Sequence, residues 1–262
     1  MSSQLTTAPI LVTRDGPVTT ITINRPHARN ALDAEAVSQL SEALDAFDND
    51  THAAVGILTG ADGSFCAGAD LKAMATARTY EAWAGDLTGM LGAPRSKPTI
   101  AAVSGHAVAG GLGVALYCDI RIADETAVFG VFCRRFGVPM SDGTTVRLPR
   151  LIGESRAMEM MLTGRGVGAV EAHEMGLVRE VVGASQLMSC AQSLAREIAA
   201  FPALAMRSDR QSLLAAHGLA LDAALRQEAQ LAQTAKNQQA SAGASRFAAG
   251  AGRHGTATRD GQ

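Results

Sequence analysis

Apolar positions along this chain change their spacing several times, and each change predicts an element. Between Pro17 and Asn24 the side chains of Ile21 and Ile23 fall on one face, the two-residue step of a strand. Ala53–Leu58 is a continuous apolar run, the pattern of a strand covered on both sides. Between these two, Asp33 is placed to cap a helix in which Val37, Leu40, Leu44 and Phe47 recur at three- and four-residue steps. Thr99–Val103 and Ile120–Ala123 read as further buried strands around a glycine-rich helix, and the alternation predicts an α/β fold. From about Phe201 the pattern is helical: Leu204, Met206, Leu213, Leu214, Leu219, Leu221, Leu225 and Leu231 supply apolar faces with few β-branched residues. The chain thus divides into a core, residues 1–200, and a C-terminal helical region, residues 201–262. Its tail Gly250–Gln262, with four glycines and no large apolar residue, is expected to fray.

The glycine-rich helix carries the strongest chemical signal. Ser104–Asp119 (SGHAVAGGLGVALYCD) runs from a glycine cluster into an apolar segment, and a second glycine-bearing loop, Cys66–Asp70 (CAGAD), stands upstream. Gly110, Gly111 and Gly113 have no side chains, so backbone N–H groups there can approach a ligand closely. The positive end of the following helix favours an oxygen that gains negative charge. Such a site stabilises an oxyanion.

With these segments the chain resembles the crotonase (enoyl-CoA hydratase/isomerase) superfamily over nearly its whole length. Ile23–Leu32 (INRPHARNAL), Leu58–Met74 (LTGADGSFCAGADLKAM) and Ile100–Asp119 (IAAVSGHAVAGGLGVALYCD) are similar to the three successive CoA-binding segments of that family. Gly143–Gly164 and Ala172–Val182 match the segments that follow, in the right order. The resemblance implies a right-handed spiral of ββα turns, with the C-terminal helices packing on neighbouring subunits in a homotrimer or a dimer of trimers. It implies an oxyanion hole for a thioester carbonyl from the backbone N–H groups of Ala69 and Gly110. It places Arg29, Ala67, Asp70 and Lys72 in the CoA-binding segments, where the charges of Arg29 and Lys72 suit phosphate. Asp70 and Asp119 stand where the family uses aspartates mainly to cap loops. Thr76–Leu91, with the sole tryptophan Trp83, corresponds to a variable wall of the acyl pocket.

The resemblance does not supply the chemistry. Family hydratases hold the attacking water with two glutamates; aligned without gaps, these positions are Gly113 and Cys133. Hydration needs one group to take a proton and another to deliver one, and glycine can do neither. Cys133 could act as a base or nucleophile if the adjacent Arg134 and Arg135 lowered its pKa, or it could be a space-filling thiol. Val131–Arg147 borders the acyl group in the family, and the resemblance makes Asp142 the candidate acid or base of this segment, since some family members place a working carboxylate within one residue of this position and an apolar pocket raises a carboxyl pKa toward neutrality. The structural alternative pairs Asp142 with Arg134 or Arg135 and merely fixes the loop.

Composition narrows the remaining classes. With 262 residues, 47% of them hydrophobic, the chain has ample material for a core, and a net charge of −2 argues against general nucleic-acid binding. No apolar run approaches the ~20 residues that span a bilayer, and the polar start MSSQLTTAP is no signal peptide. Cys66, Cys118, Cys133 and Cys190 lack metal-ligand spacing, and reduced thiols in a cytoplasm are the simplest reading. Gly111 and Gly113 begin a dinucleotide fingerprint that fails at Leu116; His173 and Glu174 begin a zinc-protease motif that fails at Leu177. No G-x-S-x-G elbow occurs, and His106 beside the glycine loop reads as structural. Three functions stay open: an acyl-CoA enzyme with non-hydratase chemistry such as double-bond isomerisation, thioester hydrolysis or another enolate reaction; an enoyl-CoA hydratase of fatty-acid metabolism; and an acyl-CoA-binding protein without catalysis. In each, a coenzyme A thioester is substrate or ligand, with no covalently bound cofactor and no metal.

Overall fold

The structure, a computed structural model, describes residues 8–76 and 89–250. Trp83 and most of the expected acyl-pocket wall lie outside the described residues, as does the tail beyond Gly250. Strand β1 (Ile10–Asp15) pairs antiparallel with β2 (Val18–Ile23), and helix α1 (Ala34–Asn49) leads to β3 (Val55–Gly60). Short α2 (Leu71–Thr76) follows the CAGAD loop. Then β4 (Thr99–Val103), β5 (His106–Val108), α3 (Gly110–Tyr117), β6 (Ile120–Asp124) and β7 (Val128–Gly130) come in close succession. After a 3-10 turn at Phe132–Phe136 the chain forms α4 (Thr144–Ile152), α5 (Glu154–Thr163), β8 (Gly166–Gly168), α6 (Ala169–Glu174), β9 (Glu180–Val182) and α7 (Leu187–Ala199). Helices α8 (Ala203–Ala215), α9 (Leu221–Ala235) and α10 (Ser241–Ala248) complete the described chain.

The strands sort into two sheets, one in the order β1-β2-β3-β4-β6-β9 and one in the order β5-β7-β8. Beyond the β1–β2 hairpin the larger sheet is parallel. The chain visits the sheets in turn, β4 then β5, β6 then β7, with α3 between the two passes, and this alternation is the spiral. Isolated bridges Leu32–Ala69 and Cys66–Ala107 carry the CAGAD loop alongside the smaller sheet.

The apolar pattern explains the layers. Along β3, Val55 and Ile57 pack with Ile100, Ile122 and α7 residues Leu187, Ala191 and Ala195, whereas Leu58 packs with Leu40, Leu44 and Phe47 of α1. Both faces are covered, so the strand is apolar from Val55 to Leu58, and the buried Thr59 donates its hydroxyl to the Ala102 carbonyl at 3.0 Å. Asp33 caps α1 by accepting from the Ala36 N–H at 2.9 Å. The C-terminal helices are different: α8 and α10 bury no residue, and Leu213 and Leu221 are 69% and 76% exposed.

Candidate active site

The site begins with two loops that touch. The peptide at Gly68 has φ +92°, a conformation that glycine alone adopts freely, and a Cβ there would lie 2.7 Å from the backbone nitrogen of Gly110. Leu32 N–H donates to the Gly68 carbonyl at 2.7 Å and Asp70 N–H to the Leu32 carbonyl at 2.9 Å, while the Cys66 N–H donates to the His106 carbonyl of β5 at 2.8 Å and the Cys66 carbonyl accepts from the Val108 N–H at 3.1 Å. The N–H groups of Gly68, Asp70 and Ala109 are engaged, yet those of Ala69 and Gly110 donate to no described residue. Both residues line one cavity of about 500 Å³. Ala109, the residue before Gly110, has φ 51° and ψ −127°, a strained conformation for a residue with a Cβ, and it turns β5 into α3 so that Gly110 opens the helix. Two unused backbone donors and a helix N-terminus at one cavity can hold a developing oxyanion.

One end of the same cavity is lined by His27, Arg29, Ala67, Asp70 and Lys72. Asp70 is already committed: its Oδ1 accepts from the Lys72 and Ala73 N–H groups at 3.1 and 3.2 Å and its Oδ2 pairs with Arg25 at 3.2 Å. Burial pushes the Asp70 carboxyl up, but the hydrogen bonds from Ala73 and Arg25 outweigh it and hold the pKa below its ordinary value. The Ala67 N–H donates to the Arg29 carbonyl at 3.1 Å. Arg29 and Lys72 make no ion pair with a described residue, so their cationic ends are free to meet phosphate. Asp119 lies away from this cavity, accepting from the Thr99 N–H at 2.8 Å and pairing with Arg210 at 2.9 Å.

The other end holds Phe132, Cys133, Phe136, Val138, Met140 and Asp142. Asp142 is 4% exposed, and its Oδ1 accepts from the Thr144 N–H at 2.9 Å. Burial raises its pKa against the opposing pull of Thr144 and of the Arg147 charge. Gly113, fully inside α3, lies directly beside it: a Cβ at Gly113 would stand 2.4 Å from the Asp142 carboxyl carbon and 2.5 Å from Oδ2. The carboxyl therefore occupies the place into which a longer side chain at position 113 would grow.

Two expectations for this end are corrected by the structure. Arg134 and Arg135 do not activate Cys133; burial and the charge of Asp142 push that thiol up, with the Arg134 charge too weak to reverse the balance. Nor do they pair with Asp142. Arg134 donates to the Met161 carbonyl at 3.1 Å, and Arg135 donates to the Gly164 carbonyl at 3.1 Å while stacking 4.1 Å from the Phe132 ring centre. A protonated Cys133 thiol, 3.0 Å from the Met140 sulfur, is a packing group. His106 stands edge-on to Phe132, and the His173 ring bonds the Val178 carbonyl; neither lines the cavity.

The sequence reading passed over Arg25 and Arg147. The buried Arg25 guanidinium binds Asp33 at 2.5 Å, Asp70 and the Ala31 carbonyl, locking the segment Ile23–Leu32 to the CAGAD loop. A buried arginine between two aspartates leaves no local sequence signature, because Asp70 is distant in the chain and Asp33 meets it only through the fold of the intervening turn. Among the described residues no cluster of His, Cys, Asp and Glu is arranged to hold a metal, and no helix is long and apolar enough to cross a membrane.

Comparison with known proteins bears on the family. EchA19 of Mycobacterium tuberculosis, an enoyl-CoA hydratase, is 40% identical over 210 residues, covering 78% of this chain and 79% of the relative. The 2,3-dehydroadipyl-CoA hydratase of Escherichia coli is 38% identical, covering 85% and 88%. The crystal structure of the enoyl-CoA hydratase EchA1 from Mycobacterium marinum superposes with a TM-score of 0.87 at 35% identity, covering 92% of this chain and 96% of that one. The family model for enoyl-CoA hydratase/isomerase matches residues 13–250, and with the spiral fold and the paired loops it shows that this chain belongs to the crotonase superfamily.

Proposed function

We propose that this acyl-CoA enzyme holds the thioester oxygen of its substrate between the N–H groups of Ala69 and Gly110 and uses Asp142 as its one acid–base group. The observation that carries the reading is the carboxyl of Asp142 lodged against Gly113 in the wall of the cavity that Ala69 and Gly110 also line. Arg29 and Lys72 are the partners for the coenzyme A phosphates.

One carboxyl and an oxyanion hole suit proton transfer at carbon. As carboxylate, Asp142 takes a proton from a carbon of the acyl chain; the C–H electron pair moves through the conjugated system onto the thioester oxygen, where the backbone donors stabilise the enolate. The same carboxyl then returns its proton to a different carbon, and the double bond has moved. No second group is required. Hydration requires a water to be held, deprotonated and joined by a proton on carbon, and neither Gly113 nor the protonated Cys133 supplies the second group. The names of the hydratase relatives favour hydration as a second reading.

Incubation of the purified protein with 3-enoyl- and 2-enoyl-CoA thioesters in D2O tests the choice. Double-bond migration with deuterium incorporation is the expected result, with crotonyl-CoA hydration very weak; robust hydration overturns the isomerase reading. Calorimetry that detects no acyl-CoA binding removes the site altogether, and binding without any turnover leaves a carrier. Assembly into a homotrimer or dimer of trimers through α8 and α9 is part of the proposal, because Leu213, Leu221 and Leu225 stand exposed there; a monomer in sedimentation analysis refutes it.

A further inference from the structure

We propose that Arg147 is the positioning residue for Asp142: it fixes the turn that carries the carboxyl and provides the positive charge facing it. This rests on the reading of Asp142 as the acid–base group and deepens it.

Arg147 stands one turn into α4. Its Nη1 donates to the backbone carbonyl of Asp142 at 3.0 Å and its Nη2 to the carbonyl of Leu91 at 2.5 Å. The guanidinium carbon lies 5.8 Å from the ring centre of Tyr117, whose hydroxyl donates to the Ala93 carbonyl at 3.1 Å. One side chain thus joins the Asp142 turn, the strand of chain at 91–93 and the end of α3, the helix whose Gly113 receives the carboxyl. Two carbonyls in fixed directions are met by a planar fork and not by a single ammonium. The room for that fork comes from Gly143: its φ is +82°, and a Cβ there would lie 2.2 Å from Nη1.

The electrostatic argument is independent of the hydrogen bonds. The groups that face Asp142 from the surrounding elements are Cys66 of the CAGAD loop, Cys133 of the 3-10 turn and Arg147 of α4, while α3 presents Gly113. Burial pushes the Cys66 thiol up to about 12 and raises Cys133 as well, so both are neutral near pH 7. Arg147 is left as the one full charge among them. Burial raises the Asp142 pKa; the hydrogen bonds from Thr144 oppose this first, and the Arg147 guanidinium adds the one opposing full charge.

The outer face of Arg147 lines a second cavity of about 420 Å³, together with Tyr117, Arg150 and Arg210. Truncation of Arg147 therefore leaves a hole that a guanidinium ion can enter from that cavity.

The experiment is a carbon-13 titration of the Asp142 carboxyl, identified by its loss in Asp142→Asn, in the full-length parent, Arg147→Ala and Arg147→Lys. In Arg147→Ala the midpoint should rise, turnover should fall by about 10²-fold, and added guanidinium ion should restore part of both. Arg147→Lys keeps the charge but not the fork, so its midpoint should stay near the parent's while turnover stays low. An unchanged midpoint in a folded Arg147→Ala protein overturns the proposal, and if that variant does not fold, full turnover by Arg147→Lys overturns it. Full turnover by Asp142→Asn would remove the acid–base reading without affecting the titration result, so the two failures are distinguishable.

Discussion

The proposed oxyanion edge of the cavity is built from backbone and the proposed acid–base edge from one side chain, and the two edges tolerate sequence change differently. At the Ala69–Gly110 edge the functional groups are N–H donors present at every residue except proline; what the sequence must specify is the shape of two loops, through Gly68, Ala109 and the bridges to Leu32 and β5. At the Asp142 edge the functional group is a carboxyl carried by a turn, and its place depends on what its neighbours lack. Gly113 leaves the volume open, Gly143 admits Arg147, and Thr144 donates to Oδ1. A superfamily can therefore keep its oxyanion hole while the reaction changes, because changing the chemistry means exchanging a few side chains around an unaltered backbone.

Asp142→Asn attacks the side-chain edge alone and has the largest expected effect. Turnover should fall by about 10²–10⁴-fold, the usual contribution of a positioned acid–base group, with acyl-CoA binding retained in calorimetry. Stability should move the other way. The folded pKa of Asp142 is raised, so its contribution to stability is full below its unfolded value and is lost as pH rises through the folded value. Near pH 7 the asparagine protein, which buries no charge and can still accept from Thr144, should melt at or above the parent temperature, the difference shrinking in acid. A large fall in melting temperature at neutral pH would mean that the carboxylate is a structural anchor.

Gly110→Pro attacks the backbone edge by deleting one donor beside Gly68. A loss of about 10²–10³-fold in turnover is expected, and unchanged turnover would show that the thioester oxygen lies elsewhere.

Gly113→Ala tests the contact between α3 and Asp142. A methyl group 2.4 Å from the carboxyl carbon must displace it, and overpacking of this kind costs about 1–3 kcal/mol. In denaturant titration the cost should disappear in the Gly113→Ala, Asp142→Ala double variant; additive effects would separate the two residues.

The smallest effect is expected at Ala109→Gly. Relief of the strained φ and ψ, worth about 1–3 kcal/mol, exceeds the roughly 0.5–1 kcal/mol that an added glycine loses in the unfolded chain. Thermal melting should show a protein no less stable than the parent, and a clear loss would mean that Ala109 is unstrained.

Much of this molecule was legible in order of sequence because the relevant physics is local. The two-residue and three-to-four-residue spacings marked the buried faces of β2 and α1, the unbroken apolar run marked β3 as covered on both sides, and Asp33 marked the start of α1 because a cap bonds within three residues. The glycine loops were visible for the same reason: close backbone approach requires a residue without a side chain. Gly113 and Asp142 were each noticed, but their contact was not, since it depends on how α3 crosses the turn before α4. That crossing also decided that Arg134 and Arg135, adjacent to Cys133 in sequence, point their charges to Met161 and Gly164, and that Arg147 faces the Asp142 turn. Residue type and spacing determine the elements and the backbone donors, because those are set within a turn or a strand. Which carboxyl meets which gap, and which arginine meets that carboxyl, is set by the packing of elements far apart in the chain, and only the tertiary structure decides it.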